Sequence, residues 1–150
     1  MMPIVFKIVA GIISTFGFAI IFRLKPSHWF FAAVDGLLAC SFYFLFIDLI
    51  GGNFWPNALS ALITAFAAEI FARVLKAPST VFLLPGCIAL VPGGSLYYSM
   101  NNLISQNYYE AAQYLLTTIE VGIAIGGGII VASIFRIAIF KFAERIKSKF

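Results

Sequence analysis

Two Pro-Gly pairs, Pro85-Gly86 and Pro92-Gly93, stand seven residues apart in an apolar stretch at 82–97. Proline removes a backbone donor and clashes with the preceding helical turn, and glycine adds conformational freedom. Inside a membrane, unpaired backbone groups are tolerated only where protein or a water-filled cavity surrounds them. The stretch is therefore predicted to be a discontinuous membrane helix, a structure in which small solutes are often held.

The second half of this stretch carries groups that suit an anion. Gly93, Gly94 and Ser95 could open a half-helix, whose N-terminus offers free N–H groups and a positive dipole end to a carboxylate. The hydroxyls of Ser95 and Tyr97 could add contacts. The alternative is a proline kink without a ligand, because Pro and Gly are common in membrane helices. The candidate substrate-binding residues are Pro85, Gly86, Pro92, Gly93, Gly94, Ser95 and Tyr97.

Acidic residues inside apolar runs are a second group of candidates. A charge at mid-bilayer costs at least about 3 kcal/mol, so such residues usually face protein or water. Asp35 and Glu120 have no local partner, and a buried carboxylate could take up and release a proton in a transport cycle. A structural hydrogen bond to a neighbouring helix is an equal alternative. Glu69 and Arg73 are four residues apart in the order that favours a helical ion pair, which predicts a structural role.

The composition excludes several function classes. Hydrophobic residues make up 62% of the 150 residues, charged residues 11%, and the mean hydropathy is +1.01. Because soluble domains carry about 25% charged residues, we expect a single-domain, multi-pass protein of the cell membrane over 1–150. The net charge of +4 comes without a basic patch beside exposed aromatic residues, so nucleic acid is not an expected partner. The sequence has no nucleophile–base set and no metal-ligand grouping, so we expect no enzyme activity, metal or cofactor.

Five apolar runs reach the length of about 20 residues that a spanning helix needs. They predict an all-α bundle of five transmembrane helices, with the fourth helix broken at the Pro-Gly pairs. Gly122 and Gly126 on the fifth run have the spacing that lets helices approach closely. The approximate helices are 3–22, 29–50, 55–75, 79–100 and 114–139, followed by a basic amphipathic tail at 140–150.

The distribution of basic residues predicts the orientation, because cytoplasmic loops are enriched in Lys and Arg. Five crossings with the N-terminus outside and the C-terminus in the cytoplasm place every basic residue except Lys7 on the cytoplasmic side. Removing any one helix would scatter these charges over both sides. An odd number of helices also suits pairing with a second unit of opposite orientation, as in inverted-repeat transporters.

Two segments of the chain resemble the threonine/serine exporter family. The run FGFAIIF at 16–22 is similar to the first helix of that family, and the stretch at 69–97 looks like its best-marked segment. The likeness covers most of the chain and is closest to the short subunit of split exporters, in which a longer partner carries the other membrane half. The matching positions in the second segment are Glu69, Arg73, Pro78, Phe82, Pro85, Gly86, Val91, Pro92, Gly93 and Tyr97.

The resemblance implies a subunit of a secondary transporter. It implies export of threonine and serine, or of dicarboxylates such as succinate, coupled to the proton gradient. It also implies the longer subunit as partner, with a homo-oligomer as the alternative. A different function, that of a structural or assembly protein of the membrane without its own solute site, is supported by the many small residues and the basic tail.

Overall fold

The apolar runs form helices, because in lipid each backbone N–H and C=O group must be satisfied within the protein. The computed structural model describes the backbone of residues 4–147 and the side-chain burial of residues 6–138. That part of the chain contains helices and no strand. The helices are α1 (Ile4–Ile21), α2 (Pro26–Ile50), α3 (Phe54–Leu75), α4 (Thr80–Ile88), α5 (Gly93–Ile104) and α6 (Tyr108–Lys147).

Local chemistry explains where the first three helices begin and end. Pro26 is the first residue of α2, where its missing N–H is not needed. Gly51 and Gly52 end α2 with φ angles of 71° and 72°, which glycine adopts without steric cost. Lys76 ends α3 in the left-handed conformation. The short turns between consecutive helices make α1 and α2 antiparallel neighbours, and likewise α2 and α3.

Small residues bring the helices of the bundle together. α2 and α3 form its centre, α1 and α4 pack against α2, and α6 packs against α3. Ala39 of α2 and Ala61 of α3 are fully buried and pack with Leu90. Ser60 Oγ donates a hydrogen bond to Ala39 O at 2.6 Å, which ties α3 to α2. Membrane helices gain no hydrophobic energy when they associate, because lipid is as apolar as their side chains. Close backbone approach at small residues is therefore typical of their contacts.

The predicted fourth helix is two helices, α4 and α5, whose axes differ by 52°. α4 continues through Pro85, so the predicted break at the first Pro-Gly pair is wrong. Only one backbone hydrogen bond of the helix is lost there, because Pro85 is the one residue without an N–H group to donate. α4 ends at Ile88 and is followed by three i→i−3 hydrogen bonds, the last from Val91 N to Ile88 O at 3.1 Å. Pro92 disfavours the helical conformation of the residue before it, so the break lies at 89–92.

By length and composition, the described residues contain three or four candidate membrane spans, where the sequence predicted five. Three of their segments are long and apolar enough to cross a membrane: α2, α3 and Tyr108–Ala138 of α6. The bent pair α4–α5 makes a fourth if it forms one span. The first predicted helix is present as α1, and the segment of it whose side chains are described, Phe6–Ile21, is shorter than a typical span. The all-α class is confirmed, whereas five crossings and the orientation of the termini stay predictions.

α6 is longer than the helix predicted at 114–139. It begins at Tyr108 and continues to Lys147, so residues 140–147 of the predicted tail extend the same helix. Nothing interrupts it there, because no Gly or Pro occurs after Gly128. Residues 148–150 lie outside the described part of the chain.

Basic residues meet at one end of the bundle. Arg23 and Lys25 of the α1–α2 turn and Lys76 of the α3–α4 turn line one cavity. Arg136 of α6 contacts Glu69 near the same end of α3. We call this the basic end of the bundle. The opposite end, where α2 ends and α3 begins, is called the far end.

Candidate functional site

A carboxylate lies buried where α2, α3 and α4 meet. Asp35 has no exposed surface. Gly86 of α4 makes room for it, because a Cβ at position 86 would overlap Asp35 Oδ2 and lie 3.0 Å from Thr64 Cγ2. The first Pro-Gly pair therefore allows a carboxylate to pack directly against a helix backbone.

The hydroxyl group of Thr64, which also lies near Gly86, does not donate to this carboxylate. Within the described residues, Asp35 Oδ1 and Oδ2 have no hydrogen-bond partner. Thr64 Oγ1 donates instead to Ser60 O at 2.8 Å. A buried polar group without a partner costs about 1–3 kcal/mol, so selection for packing alone would favour an apolar residue here. We therefore regard Asp35 as a candidate functional group.

A second feature is a cavity of about 240 Å³ at the far end, between α3, the α4–α5 break and α6. We call it the far-end cavity. Its volume lies below the range of about 300–1,000 Å³ that holds drug-sized ligands, so it suits a small metabolite. It is lined by Tyr43, Asn53, Asn57, Ala89, Leu90, Val91, Pro92, Gly93, Gly94, Ser95, Thr117 and Val121.

The N-terminus of α5 faces the far-end cavity. The first hydrogen bond of α5 runs from Leu96 N to Pro92 O at 3.1 Å. The amides of Gly94 and Ser95 therefore precede the helical ladder and need acceptors from outside the helix. Polar side chains of Asn57 and Thr117 line the same cavity. This arrangement can hold a carboxylate through the N–H groups and the dipole of a helix N-terminus.

A third feature is a cavity of about 200 Å³ between α3, α4 and α6 near the basic end, which we call the basic-end cavity. Arg136 Nη1 donates to Glu69 Oε1 at 3.3 Å and to Oε2 at 3.5 Å. Arg73 Nε lies farther from Glu69 Oε1, at 3.9 Å. The interhelical contact is thus shorter than the predicted contact within α3. The lining residues are Ala65, Phe66, Glu69, Ser79, Thr80, Leu83, Ile129, Ala132, Ser133 and Arg136.

One apolar cluster borders both cavities. Leu90 packs with Ala39 and Ala61 and also lines the far-end cavity. Ile129 packs against the same cluster and lines the basic-end cavity. The two cavities therefore lie along the same pair of long helices, α3 and α6, with apolar side chains between them.

Small polar cavities beside a broken helix are typical of membrane proteins that handle small solutes. Residues 7–135, most of the chain, match the family described as Threonine/Serine exporter, ThrE. The chain belongs to the threonine/serine exporter family. No curated protein and no solved structure shows a significant match. Since the family is one of transporters, this exporter-family protein is a multi-pass membrane protein and not an enzyme.

The seven predicted substrate-binding residues of this exporter-family protein lie in three places. Pro92, Gly93, Gly94 and Ser95 line the far-end cavity. Pro85 and Gly86 are buried in α4, and Gly86 lies against Asp35. Tyr97 is 65% exposed and packs on Tyr98, with ring centroids 5.5 Å apart. The prediction treated one continuous stretch as one site, whereas the helical twist directs its parts to different sides.

The two candidate proton-coupling residues do not share an environment in the exporter-family protein. Asp35 is buried in the helix core, whereas Glu120 is exposed on α6. Thr117 and Val121, its neighbours on that helix, line the far-end cavity, and Glu120 does not. Only Asp35 has the enclosed surroundings that the prediction required.

The predicted glycine contact on α6 is displaced. A Cβ at Gly122 or Gly126 would meet no atom within 4 Å, so these glycines do not bring two described helices together. Gly128 does, because a Cβ there would overlap the carbonyl oxygen of Ala58 and lie 3.1 Å from Leu62 N. The spacing identified the right helix, but the rotation of α6 about its axis decided which glycine faces α3.

Sequence reasoning missed several residues that line these sites. Asn57 and Thr117 of the far-end cavity are polar residues within apolar runs, which was a usable signal. Arg136 was assigned only to the basic residues that set orientation. It is 67 positions from Glu69, so no local spacing could reveal their contact.

Proposed function

We propose that this exporter-family chain is the short membrane subunit of a threonine/serine exporter and binds a small carboxylate-bearing metabolite in the far-end cavity. The carrying observation is that Gly94 and Ser95, whose amides precede the hydrogen-bond ladder of α5, line this cavity. Asn57 Nδ2 donates one N–H to Asn53 O and has a second N–H for the solute. The Thr117 hydroxyl, which donates to Gln113 O, can accept a hydrogen bond from the solute. Threonine and serine are the substrates that the family name favours, and dicarboxylates such as succinate share the same carboxylate chemistry.

Proton coupling is assigned to Asp35 in this proposal. Its carboxylate touches the backbone of α4 at Gly86, two residues before the last residue of the helix, Ile88. Because a buried charge without a partner is costly, the packing of α4 against α2 depends on whether Asp35 carries its proton. A change in that packing would be transmitted to the α4–α5 break and to the far-end cavity. Glu120 is the weaker candidate because it is exposed.

A partner is also part of the proposal. α5 packs mainly against α6, and several of its large side chains are exposed, with Tyr97 at 65%, Met100 at 60% and Ile104 at 83%. Contiguous apolar surface of this kind contacts lipid or another protein. We expect the longer exporter subunit, or a second copy of this chain, to cover α5 and to complete the solute path.

Efflux of labelled threonine, serine and succinate tests the proposal. Flux is measured with this chain alone, with the longer subunit, and with Gly93→Leu, which places a bulky side chain at the far-end cavity. We expect Gly93→Leu to lower flux about tenfold or more, because misplacement of a bound solute is costly. Gly17→Leu is the matched control, since a Cβ at Gly17 also meets open space.

Unchanged flux in all these cases would overturn the transport proposal. Flux through the longer subunit that survives loss of this chain would instead support the structural or assembly role.

A further inference from the structure

We propose that the basic-end cavity is a second binding station, which holds the zwitterion of a small α-amino acid between Glu69 and Arg136. This inference rests on the proposed transport of threonine or serine and adds a second site to it. Glu69 and Arg136 come from α3 and α6, and their charged groups face each other inside the cavity. The bound amino acid would place its carboxylate on Arg136 and its ammonium group on Glu69.

The contact between these two residues is loose enough to open. Its distances are 3.3 and 3.5 Å, and both involve the single guanidinium nitrogen Nη1. Charge-assisted N–H···O bonds are usually about 2.7–2.9 Å long, so this pair is weaker than its charges permit. A guanidinium group has five N–H donors in a planar fork that matches a carboxylate in two bonds. An entering carboxylate could thus bind Arg136 better than Glu69 now does.

Charge balance selects a zwitterion over a simple ion. An anion alone would displace Glu69 from Arg136 and leave this carboxylate, which is only 18% exposed, with the longer contact to Arg73 Nε at 3.9 Å. A cation alone would take Glu69 away from Arg136, whose side chain is 41% exposed. A zwitterion gives both groups a new partner and leaves the net charge of the cavity unchanged.

The rest of the cavity limits the ligand to a small polar side chain. Its volume of about 200 Å³ is below the range of about 300–1,000 Å³ for drug-sized ligands. Ala65 and Ala132 form part of an apolar wall, and the hydroxyl groups of Ser79 and Thr80 stand at the start of α4. These hydroxyl groups can bond the side-chain hydroxyl of threonine or serine.

The position of the cavity suits a station that precedes the far-end cavity. Ile129 lines the basic-end cavity and packs against the apolar cluster that contains Leu90, and Leu90 lines the far-end cavity. A solute released from Glu69 and Arg136 would meet this cluster next. Movement of Ile129 and Leu90 would then connect the two cavities.

Protection of an introduced cysteine tests the station directly. Ser133→Cys places a thiol on the lining of the basic-end cavity, and Thr117→Cys places one on the lining of the far-end cavity. The full chain, in complex with the longer subunit in lipid nanodiscs, is treated with N-ethylmaleimide. The chain without a new cysteine gives the background from Cys40 and Cys87. At a threonine concentration of ten times its Kd, we expect modification of position 133 to slow about tenfold.

Analogues and variants identify the groups that bind. We expect no protection at position 133 by 3-hydroxybutyrate, which lacks the ammonium group, or by 2-aminobutane-1,3-diol, which lacks the carboxylate. The double variant Glu69→Gln/Arg136→Gln should melt near the unaltered temperature, because both charges of the pair are removed together and Arg73, which also contacts Glu69, is half exposed to begin with. It should lose the protection. Arg73→Gln is the control and should keep it. Each variant is compared with itself, with and without threonine.

Two results would overturn the station. One is modification of position 133 that threonine does not slow while threonine flux continues; this leaves the far-end proposal intact. The other is full protection in the double variant. Absence of threonine flux and of protection at position 117 would remove the proposed function, and the station would fall with it.

Discussion

The two Pro-Gly pairs of this chain are alike in composition and stand in different surroundings. Gly86 is buried in α4, where it leaves room for the Asp35 carboxylate and lies near Thr64. Gly93 begins α5, and a Cβ there would meet open space. The first pair allows close contact between α4 and α2, and the second places the start of α5 beside the far-end cavity.

This difference separates two roles that one motif can have in a membrane helix. At the first pair, the missing Cβ matters and the helix continues. At the second pair, the missing proline donor and the altered backbone matter, because the helix stops and restarts at a new angle. Neighbouring helices decide between the roles, since they determine whether a carboxylate or open space lies beside the glycine.

The largest difference in stability between the two pairs is expected when Gly86 or Gly93 is replaced by alanine. Gly86→Ala forces a methyl group into the Asp35 carboxylate, and overpacking of this kind costs about 1–3 kcal/mol. Gly93→Ala should change stability by less than about 0.5 kcal/mol, because the site is open. Thermal unfolding in the same detergent measures both. Equal melting temperatures for the two variants would break the distinction between the pairs.

The next effect concerns Asp35 itself. Asp35→Asn keeps the shape of the side chain and removes the exchangeable proton, so efflux driven by a proton gradient should fall about tenfold, which corresponds to about 1.4 kcal/mol. Stability should not fall, since Asp35 has no hydrogen-bond partner among the described residues. Asp48→Asn is the matched control, because Asp48 is exposed on the same helix. Gradient-driven flux that Asp35→Asn leaves unchanged would contradict the assignment.

The smallest effect is expected from alanine at two serines, Ser60 in the buried contact between α2 and α3 and Ser95 at the far-end cavity. Ser60→Ala removes a buried hydrogen bond to Ala39 O and should lower the free energy of unfolding by about 1 kcal/mol. Ser95→Ala should leave stability nearly unchanged and raise the threonine concentration needed for half-maximal efflux, because Ser95 lines the far-end cavity. Unfolding and flux are measured on both variants. Loss of stability in Ser95→Ala with normal efflux would show that the far-end residues only maintain the fold.

Several features of the fold were predictable because they depend on local chemistry. The helical class follows from the apolar runs, and the break at Pro92 follows from the geometry that proline imposes on Val91. The boundary of α6 was missed by six residues, although Asn107 and Glu110, three residues apart, form a helix-start signature that sequence reasoning did not use. The continuation of α4 through Pro85 was also missed, since one lost hydrogen bond does not end a helix that its neighbours hold.

The candidate site was predictable only in part. Gly94 and Ser95, two of the predicted substrate-binding residues, line a cavity at a helix start, where amides lack partners within the helix. Substrate binding by them stays a prediction. Tyr97 was placed in the same site although it is exposed on another side of α5. The seven candidates were adjacent in sequence, but a helix turns about 100° per residue, so neighbours along the chain face different directions.

The amino-acid sequence by itself determined that this protein lies in a membrane, that it is helical, and that one helix breaks near Pro92, because these properties depend on composition and on each residue's own backbone chemistry. Tertiary structure decided that Asp35 and not Glu120 is buried. It also decided that Gly128, and not Gly122 or Gly126, is the glycine of α6 that packs against α3, and that Glu69 contacts Arg136. The physical reason is that α2 and α6 are apolar around most of their circumference. Their rotation and neighbours are therefore chosen by side-chain packing with distant parts of the chain.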